Sequence, residues 1–210
     1  MTRQTIVYVD GFNLYFGALK GTPYRWLDLS KLFHYLLPQN AVTHIRYFSA
    51  RVSVRTNDPD APTRQETYWR ALRTLPELEI YQGQFLTHVK SMPIAKPRPN
   101  GAPTIKVIST TEKGSDVNLA AHLLMDAFKE RFDVAVVLSN DSDLATPIRM
   151  VREEFRKTVG ILNPYPGTTS RELLKVASFY KPIRQNVLQL SQFPPTLTDK
   201  RGTFHKPSSW

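Results

Sequence analysis

The sequence predicts an α/β domain with a mostly parallel central sheet covered by helices on both faces. Two runs, Ile6-Val7-Tyr8-Val9 and Val134-Ala135-Val136-Val137-Leu138, carry no charged residue, as strands buried on both faces require. Strand-like and helix-like segments alternate along the chain, which implies right-handed crossovers between parallel strands. Both apolar runs lead into aspartates, Asp10 after the first and Asp141 and Asp143 after the second. In an open parallel sheet that carboxyl edge is where ligands bind.

Each element follows from local pattern. A strand over about residues 4–9 is followed by a helix opening near Asn13. A second helix, over about 28–37, starts at Asp28-Leu29-Ser30 and is stopped by Pro38. Ile45 to Ala50 reads as a strand, Pro62 to Leu75 as a helix entered at one proline and left at Pro76, and Leu78 to Leu86 as a strand. Lys90 to Pro103 holds four prolines together with Lys90, Lys96 and Arg98, between flanks that look extended, and predicts a long basic hairpin or flap at about 86–106. Ser115 opens a helix to about Lys129; Val134 to Ser139 is a strand, Ser142 to about Phe155 a helix, and Thr158 to Leu162 a strand. A short helix near Thr169 to Ala177 closes a domain over 1–180. Residues 181–210 read as a basic, irregular C-terminal tail, flexible or draped on the domain.

A chain of 210 residues that is 41% hydrophobic can bury a full core, so disorder throughout is excluded. The formal charge is +10, and it is unevenly spread: basic residues outnumber acidic ones 14 to 7 over 1–110 and 5 to 1 over 181–210, whereas 111–180 holds 9 basic and 10 acidic. Basic flanks around an acidic centre suit a polyanion held by cations while one phosphate meets carboxylates; a merely soluble surface gives the same composition. Zero cysteines exclude disulfides, iron–sulfur clusters and thiolate zinc sites. The first residues lead into a strand rather than a signal peptide, and no apolar run reaches membrane-spanning length, so a cytoplasmic protein without membrane contact is expected. No G-x-G-x-x-G and no P-loop follows the first strand, which argues against dinucleotide binding.

Four acids stand out: Asp10, Asp116 in Lys113-Gly114-Ser115-Asp116, Asp141 and Asp143. Singly, each has a structural explanation, since Asp before Gly suits a turn, Asn13 could cap a helix, and a first-turn acid gains about 0.3–1 kcal/mol from the helix dipole. Together they repel, and such a cluster either holds protons at raised pKa or binds a cation. With oxygen ligands alone, the cation would be hard, Mg²⁺ or Mn²⁺. His122, about 120° around its helix from Asp116, reads as a packing histidine rather than a ligand.

These motifs are similar to those of the NYN domain family, the LabA-like branch of the PIN-like nucleases. The residues concerned are Tyr8-Val9-Asp10-Gly11-Phe12-Asn13, Glu112 to Ala120, Ser139 to Leu144 with Pro147-Ile148, and Gly160-Ile161-Leu162-Asn163-Pro164, in family order up to about residue 180. The resemblance implies a PIN-like fold and metal-dependent cleavage of RNA. It implies Asp10, Asp116 and Asp141 as metal ligands, Asp143 as a fourth catalytic acid, and Asn13 and Ser139 in support. Where PIN-like proteins carry a further acid on a middle helix, Asp143 or Glu112 could substitute.

Lys113 reads either as a phosphate contact or as a solvated side chain. Lys90, Lys96, Arg98, Lys200 and Arg201 are candidate RNA contacts, with a solvated surface as the alternative. Aromatics interleaved with arginine in Tyr24-Arg25-Trp26, Arg46-Tyr47-Phe48 and Tyr68-Trp69-Arg70 could stack on bases or belong to the core. Three functions are therefore carried forward: a Mg²⁺- or Mn²⁺-dependent ribonuclease, a non-catalytic RNA-binding module of the same fold, and a phosphatase or nucleotidase using a strand-end aspartate. A homodimer or another protein partner is compatible with these residues.

Overall fold

A computed structural model describes residues 3–54, 56–99 and 101–210, so Met1, Thr2, Arg55 and Asn100 lie outside the described residues. The first strand, β1 (Arg3–Asp10), is central, and it pairs in parallel with β2 (Asn40–Ala50) on one side and β5 (Val134–Leu138) on the other. Beyond β2 come β3 (Leu78–Pro93), parallel, and β4 (Thr104–Lys113), antiparallel; beyond β5 come β6 (Thr158–Asn163) and β7 (Phe179–Pro182), both parallel. The order β4-β3-β2-β1-β5-β6-β7 places the reversal of strand order between β1 and β5, where the two apolar runs meet.

Alternate side chains of these strands feed two cores. Val7, Val9, Ile45, Val134, Val136 and Leu138 pack on one face with α2 (Leu29–Leu36) and α3 (Ala61–Leu72). Ile6, Tyr8, Phe48, Ala135, Val137 and Ile161 pack on the other with α4 (Ser115–Phe128) and α5 (Ala145–Glu153). The second face contains a buried ionic network: the Asp126 carboxylate accepts Nε of Arg46 at 2.7 Å, the Tyr8 hydroxyl at 2.8 Å and Arg131 Nη1 at 2.9 Å, tying α4 to β1 and β2. His122 packs on Tyr81, with ring centroids 4.1 Å apart, and burial lowers its pKa, in keeping with a packing role.

Several expectations shift in detail. β2 starts five residues before the expected strand because its first half, with half-buried Thr43 and exposed His44, shows no apolar run. The expected hairpin or flap is a regular hairpin, longer at its root than expected: β3 and β4 pair from Gln84↔Lys113 out to Pro93↔Thr104. Helix α1 (Gly11–Leu14) begins at Gly11 and is capped by Asp10, not Asn13, and it runs into a π-helical turn over Tyr15–Leu19. The helix expected from Ser142 opens with a 3₁₀ turn (Ser142–Leu144) before α5. Asn163 anchors the loop into α6 (Arg171–Val176) by donating Nδ2 to the Thr168 carbonyl at 2.6 Å.

The irregular tail is corrected to ordered structure. Residues after 181 form α7 (Gln185–Leu190) and a hairpin of β8 (Thr196–Asp199) and β9 (Gly202–His205). Phe193, Phe204 and Trp210 surround Trp26 with centroids 5.8, 6.4 and 6.3 Å away, and the Trp26 indole N–H donates to the Pro194 carbonyl at 2.8 Å. Arg70 forks onto Asp199 at 2.8 and 2.7 Å and latches the hairpin to α3. The aromatics Trp26, Tyr47, Phe48, Tyr68 and Trp69 are accordingly core residues, not base-stacking ones. No helix among the described residues is long and apolar enough to cross a membrane.

Candidate functional site

At the carboxyl ends of β1 and β5, one hydrogen-bonded knot joins the two strands. Asp10 Oδ1 accepts the backbone N–H groups of Phe12 and Asn13 at 3.1 and 3.0 Å. Its Oδ2 accepts Asn13 Nδ2 at 2.6 Å and Ser139 Oγ at 3.0 Å. Ser139 Oγ in turn accepts the Asp141 N–H at 3.1 Å, and Asn13 Oδ1 accepts the Asn140 N–H at 3.2 Å. Asn140, part of the Ser139–Leu144 motif but given no role from the sequence, accepts the Ser170 N–H at 2.8 Å and carries the knot across to α6. Asp141 caps the 3₁₀ turn, its Oδ1 accepting the Asp143 N–H at 3.0 Å, so Asp143 lies in the first turn and is exposed.

Asp116 arrives from the other side of the sheet. The β3–β4 hairpin returns the chain to Gly83, and Gly114 takes φ +102°, a left-handed conformation that favours glycine. Glu112 then accepts Ser115 N–H and Oγ–H at 3.1 and 2.7 Å, fixing the start of α4 with Asp116 in its first turn. Gly83 makes this approach feasible, because a Cβ there would lie 2.3 Å from Glu112 Oε1 and 2.6 Å from the Lys113 carbonyl. Glu112 is thus committed to a helix cap. Lys113 is exposed at the root of the hairpin.

The electrostatics couple these acids. Asp10 is buried, and loss of solvation raises its pKa against the lowering effect of its donors, with the Asp141 charge adding to the rise. Asp116 is half-buried and pushed up to about 6, first by desolvation and then by the charges of Asp10, Asp141, Glu112 and Asp143. Burial is the larger cause, and the neighbouring carboxylates add to it. Among the described residues, however, no three His, Cys, Asp or Glu side chains converge closely enough to form a ready-made metal cage.

The donor set still suits a hard divalent cation. Asp116 accepts no hydrogen bond among the described residues, and Asp141 commits one oxygen only, whereas Asp10 is saturated by four donors and must exchange one to ligate.

Two aromatic residues flank the acids: Tyr47, which the sequence offered only as a stacking or core residue, and Tyr165, which it did not flag. The Tyr47 ring lies under Gly11, 2.7 Å from where a Cβ would stand, and burial followed by the Asp10 charge raises its phenol pKa. Tyr165, after β6, rests on Gly17 and is likewise raised, by burial and then by Asp10. No periodicity or spacing signal marks a tyrosine that reaches an acid through tertiary packing. The candidate RNA contacts separate into two places. Lys90, Lys96 and Arg98 are exposed on the β3–β4 hairpin, whereas Lys200 and Arg201 sit at the β8–β9 turn, where Arg201 lines an open cleft of about 410 Å³ with Arg51, Thr63, Thr67 and Arg70.

A parallel sheet with aspartates at its switch point, fed by a helix that brings a third, defines a PIN-like α/β domain. Within that class the chain belongs to the NYN domain family, whose model matches residues 4–184. That family places it in the PIN-like nuclease superfamily. It is 32% identical to 6-hydroxy-3-succinoylpyridine 3-monooxygenase of Pseudomonas putida, over 99% of this chain and 75% of that protein. Its fold is similar to the crystal structure of a protein of unknown function from Vibrio parahaemolyticus, with a TM-score of 0.58 at 18% identity over 88% of this chain and 95% of the other.

Proposed function

We propose that the protein is a metal-dependent ribonuclease that hydrolyses phosphodiester bonds at the ends of β1 and β5. The observation that carries this reading is the knot through Ser139 Oγ that holds Asp10 and Asp141 together at the ends of β1 and β5, with Asp116 in the first turn of α4 raised by burial first and then by these acids. A carboxylate cluster held under such repulsion is relieved by a divalent cation. Asp10, Asp116 and Asp141 would hold Mg²⁺ or Mn²⁺, which when bound supplies charge neutralisation at the phosphate and a more acidic water. Asn13 and Ser139 orient Asp10 through its Oδ2, and Asp143 stands at the solvent side to take a proton from the attacking water. Water oxygen bonds to phosphorus as the bridging P–O bond breaks, and the leaving oxygen collects a proton. The basic hairpin, with Lys90, Lys96 and Arg98, holds the substrate backbone, as do Lys200 and Arg201 at the far turn; Lys113 contacts phosphate at the site's edge.

Single-stranded RNA incubated with purified protein should be cut only when Mn²⁺ or Mg²⁺ is present, and Asp141→Asn should abolish cutting. Activity that survives both EDTA and Asp141→Asn would remove the reading. Tight RNA binding without turnover in Mn²⁺, unchanged by Asp10→Asn, would favour the non-catalytic module, and turnover of a small phosphate ester alone would favour the phosphatase.

A second reading has one specific observation behind it: the Pseudomonas putida relative, matched along nearly the whole of this chain, is named as a monooxygenase. On that reading the chain would hydroxylate a pyridine with dioxygen and a reductant. Incubation with 6-hydroxy-3-succinoylpyridine, reduced nicotinamide and isotopically labelled dioxygen, followed by mass spectrometry for labelled oxygen in a pyridine product that has lost the C3 side chain, separates the two.

A further inference from the structure

The turn that follows Asp10 carries two large aromatics that the core does not absorb. Tyr15 and Phe16 are 37% and 52% exposed, and their rings meet edge to face at 5.2 Å. Lys20 stands over the Phe16 ring, 5.1 Å from its centroid. Single exposed aromatics are ordinary. Here two are in mutual contact, one of them lies under a lysine, and both sit on a π-helical turn, a geometry that recurs at functional sites and interrupts the regular helical repeat.

Their position is set by the elements around the acids. Asn13 of this helix donates to Asp10, and Gly17, the next residue after Phe16, carries the Tyr165 ring that senses the Asp10 charge. Phe12, one helical turn before Phe16, packs edge to face on Phe85 at the root of the basic hairpin, 5.7 Å between centroids. Two aromatic pairs, Phe12–Phe85 at the hairpin root and Tyr15–Phe16 facing solvent, therefore lie on consecutive turns of the segment that follows Asp10.

We propose that Tyr15, Phe16 and Lys20 form a base-stacking subsite that takes one unpaired nucleobase beside the acid cluster, with Lys20 meeting the adjoining phosphate. The occupant follows from the chemistry: a flat ring accepts any base face, the lysine requires an anion next to it, and the chain's +10 charge favours a polyanion. Bases within a duplex are paired and stacked already, so the subsite selects single strands. The inference rests on the nuclease reading for its biological setting, but its test reads binding alone.

Fluorescence anisotropy of the full-length protein in EDTA, with a labelled short oligouridine and with an RNA duplex of equal length, provides that test. Phe16→Ala should weaken the single strand by about 5- to 150-fold, the range expected for loss of one stacked base, and leave the duplex unchanged. Phe16→Trp should restore single-strand affinity, and Lys20→Gln should reduce the salt slope by about one phosphate contact while Phe16→Ala leaves it unchanged. Because both positions face solvent, matching thermal melts identify a folded variant. The proposal is overturned if Phe16→Ala and Tyr15→Ala bind like the wild type, if single strand and duplex weaken together, or if the wild type binds no RNA. Absence of cleavage in Mn²⁺ with this binding pattern intact would remove the nuclease reading and leave the subsite standing.

Discussion

Replacing Asp116 by asparagine should stabilise the metal-free protein at pH 7.5, although Asp116 is assigned to the site. Its carboxyl is raised from 3.8 to about 6, so ionisation at neutral pH opposes folding. The shift of roughly two pKa units corresponds to about 3 kcal/mol at ~1.36 kcal/mol per unit. Partial solvent exposure screens that to about 1.5 kcal/mol. A first-turn acid gains about 0.3–1 kcal/mol from the helix dipole, which asparagine forgoes, leaving a net gain near 1 kcal/mol. For a domain of this size that is about 2–4 °C in Tm.

The pH dependence carries the sign. The folded state binds the Asp116 proton more tightly than the unfolded state, so stability falls as pH rises from about 4 to 6, and the full penalty is present above 6. Differential scanning calorimetry in EDTA should show Asp116→Asn melting above wild type at pH 7.5, with the gap closing as pH drops through 6 towards 4. With excess Mn²⁺ the order should reverse, because only the wild type keeps the full ligand set. A variant that melts at or below wild type in EDTA, or a gap independent of pH, would refute coupling among these acids.

Other perturbations test the scaffold. Arg46→Leu leaves the fully buried Asp126 without its main partner and should cost about 3–5 kcal/mol in urea unfolding, much of it recovered by the double change with Asp126→Leu. Gly160→Ala would put a Cβ 2.0 Å from Phe179 Cζ, and should cost about 1–3 kcal/mol by prising β7 off the sheet, with Phe179→Ala relieving part of the loss.

The central strands were legible because they are bare apolar runs, and the acids because they end those runs; both follow from burial of β1 and β5 on two faces. The basic hairpin was legible through its prolines and extended flanks. β7 was missed, since a four-residue edge strand containing Lys181 and Pro182 shows neither alternation nor a run. The C-terminal hairpin was missed for a different reason: its order comes from Trp26 and from the Arg70–Asp199 fork, contacts separated by more than a hundred residues. The same limit hid Tyr165, whose neighbour Asp10 is close only after folding. The identities of the acids could be read in sequence, but not the saturation of Asp10 by four donors, which depends on Ser139 crossing from β5.

A crystal soaked in Mn²⁺ and measured at the manganese absorption edge tests the shared-cation claim most directly. An anomalous peak bound by carboxylate oxygens of Asp116 and Asp141, with Asp10 having released one of its donors, is the expected result. A crystal without manganese at that position, at concentrations where the protein cleaves RNA, would contradict it.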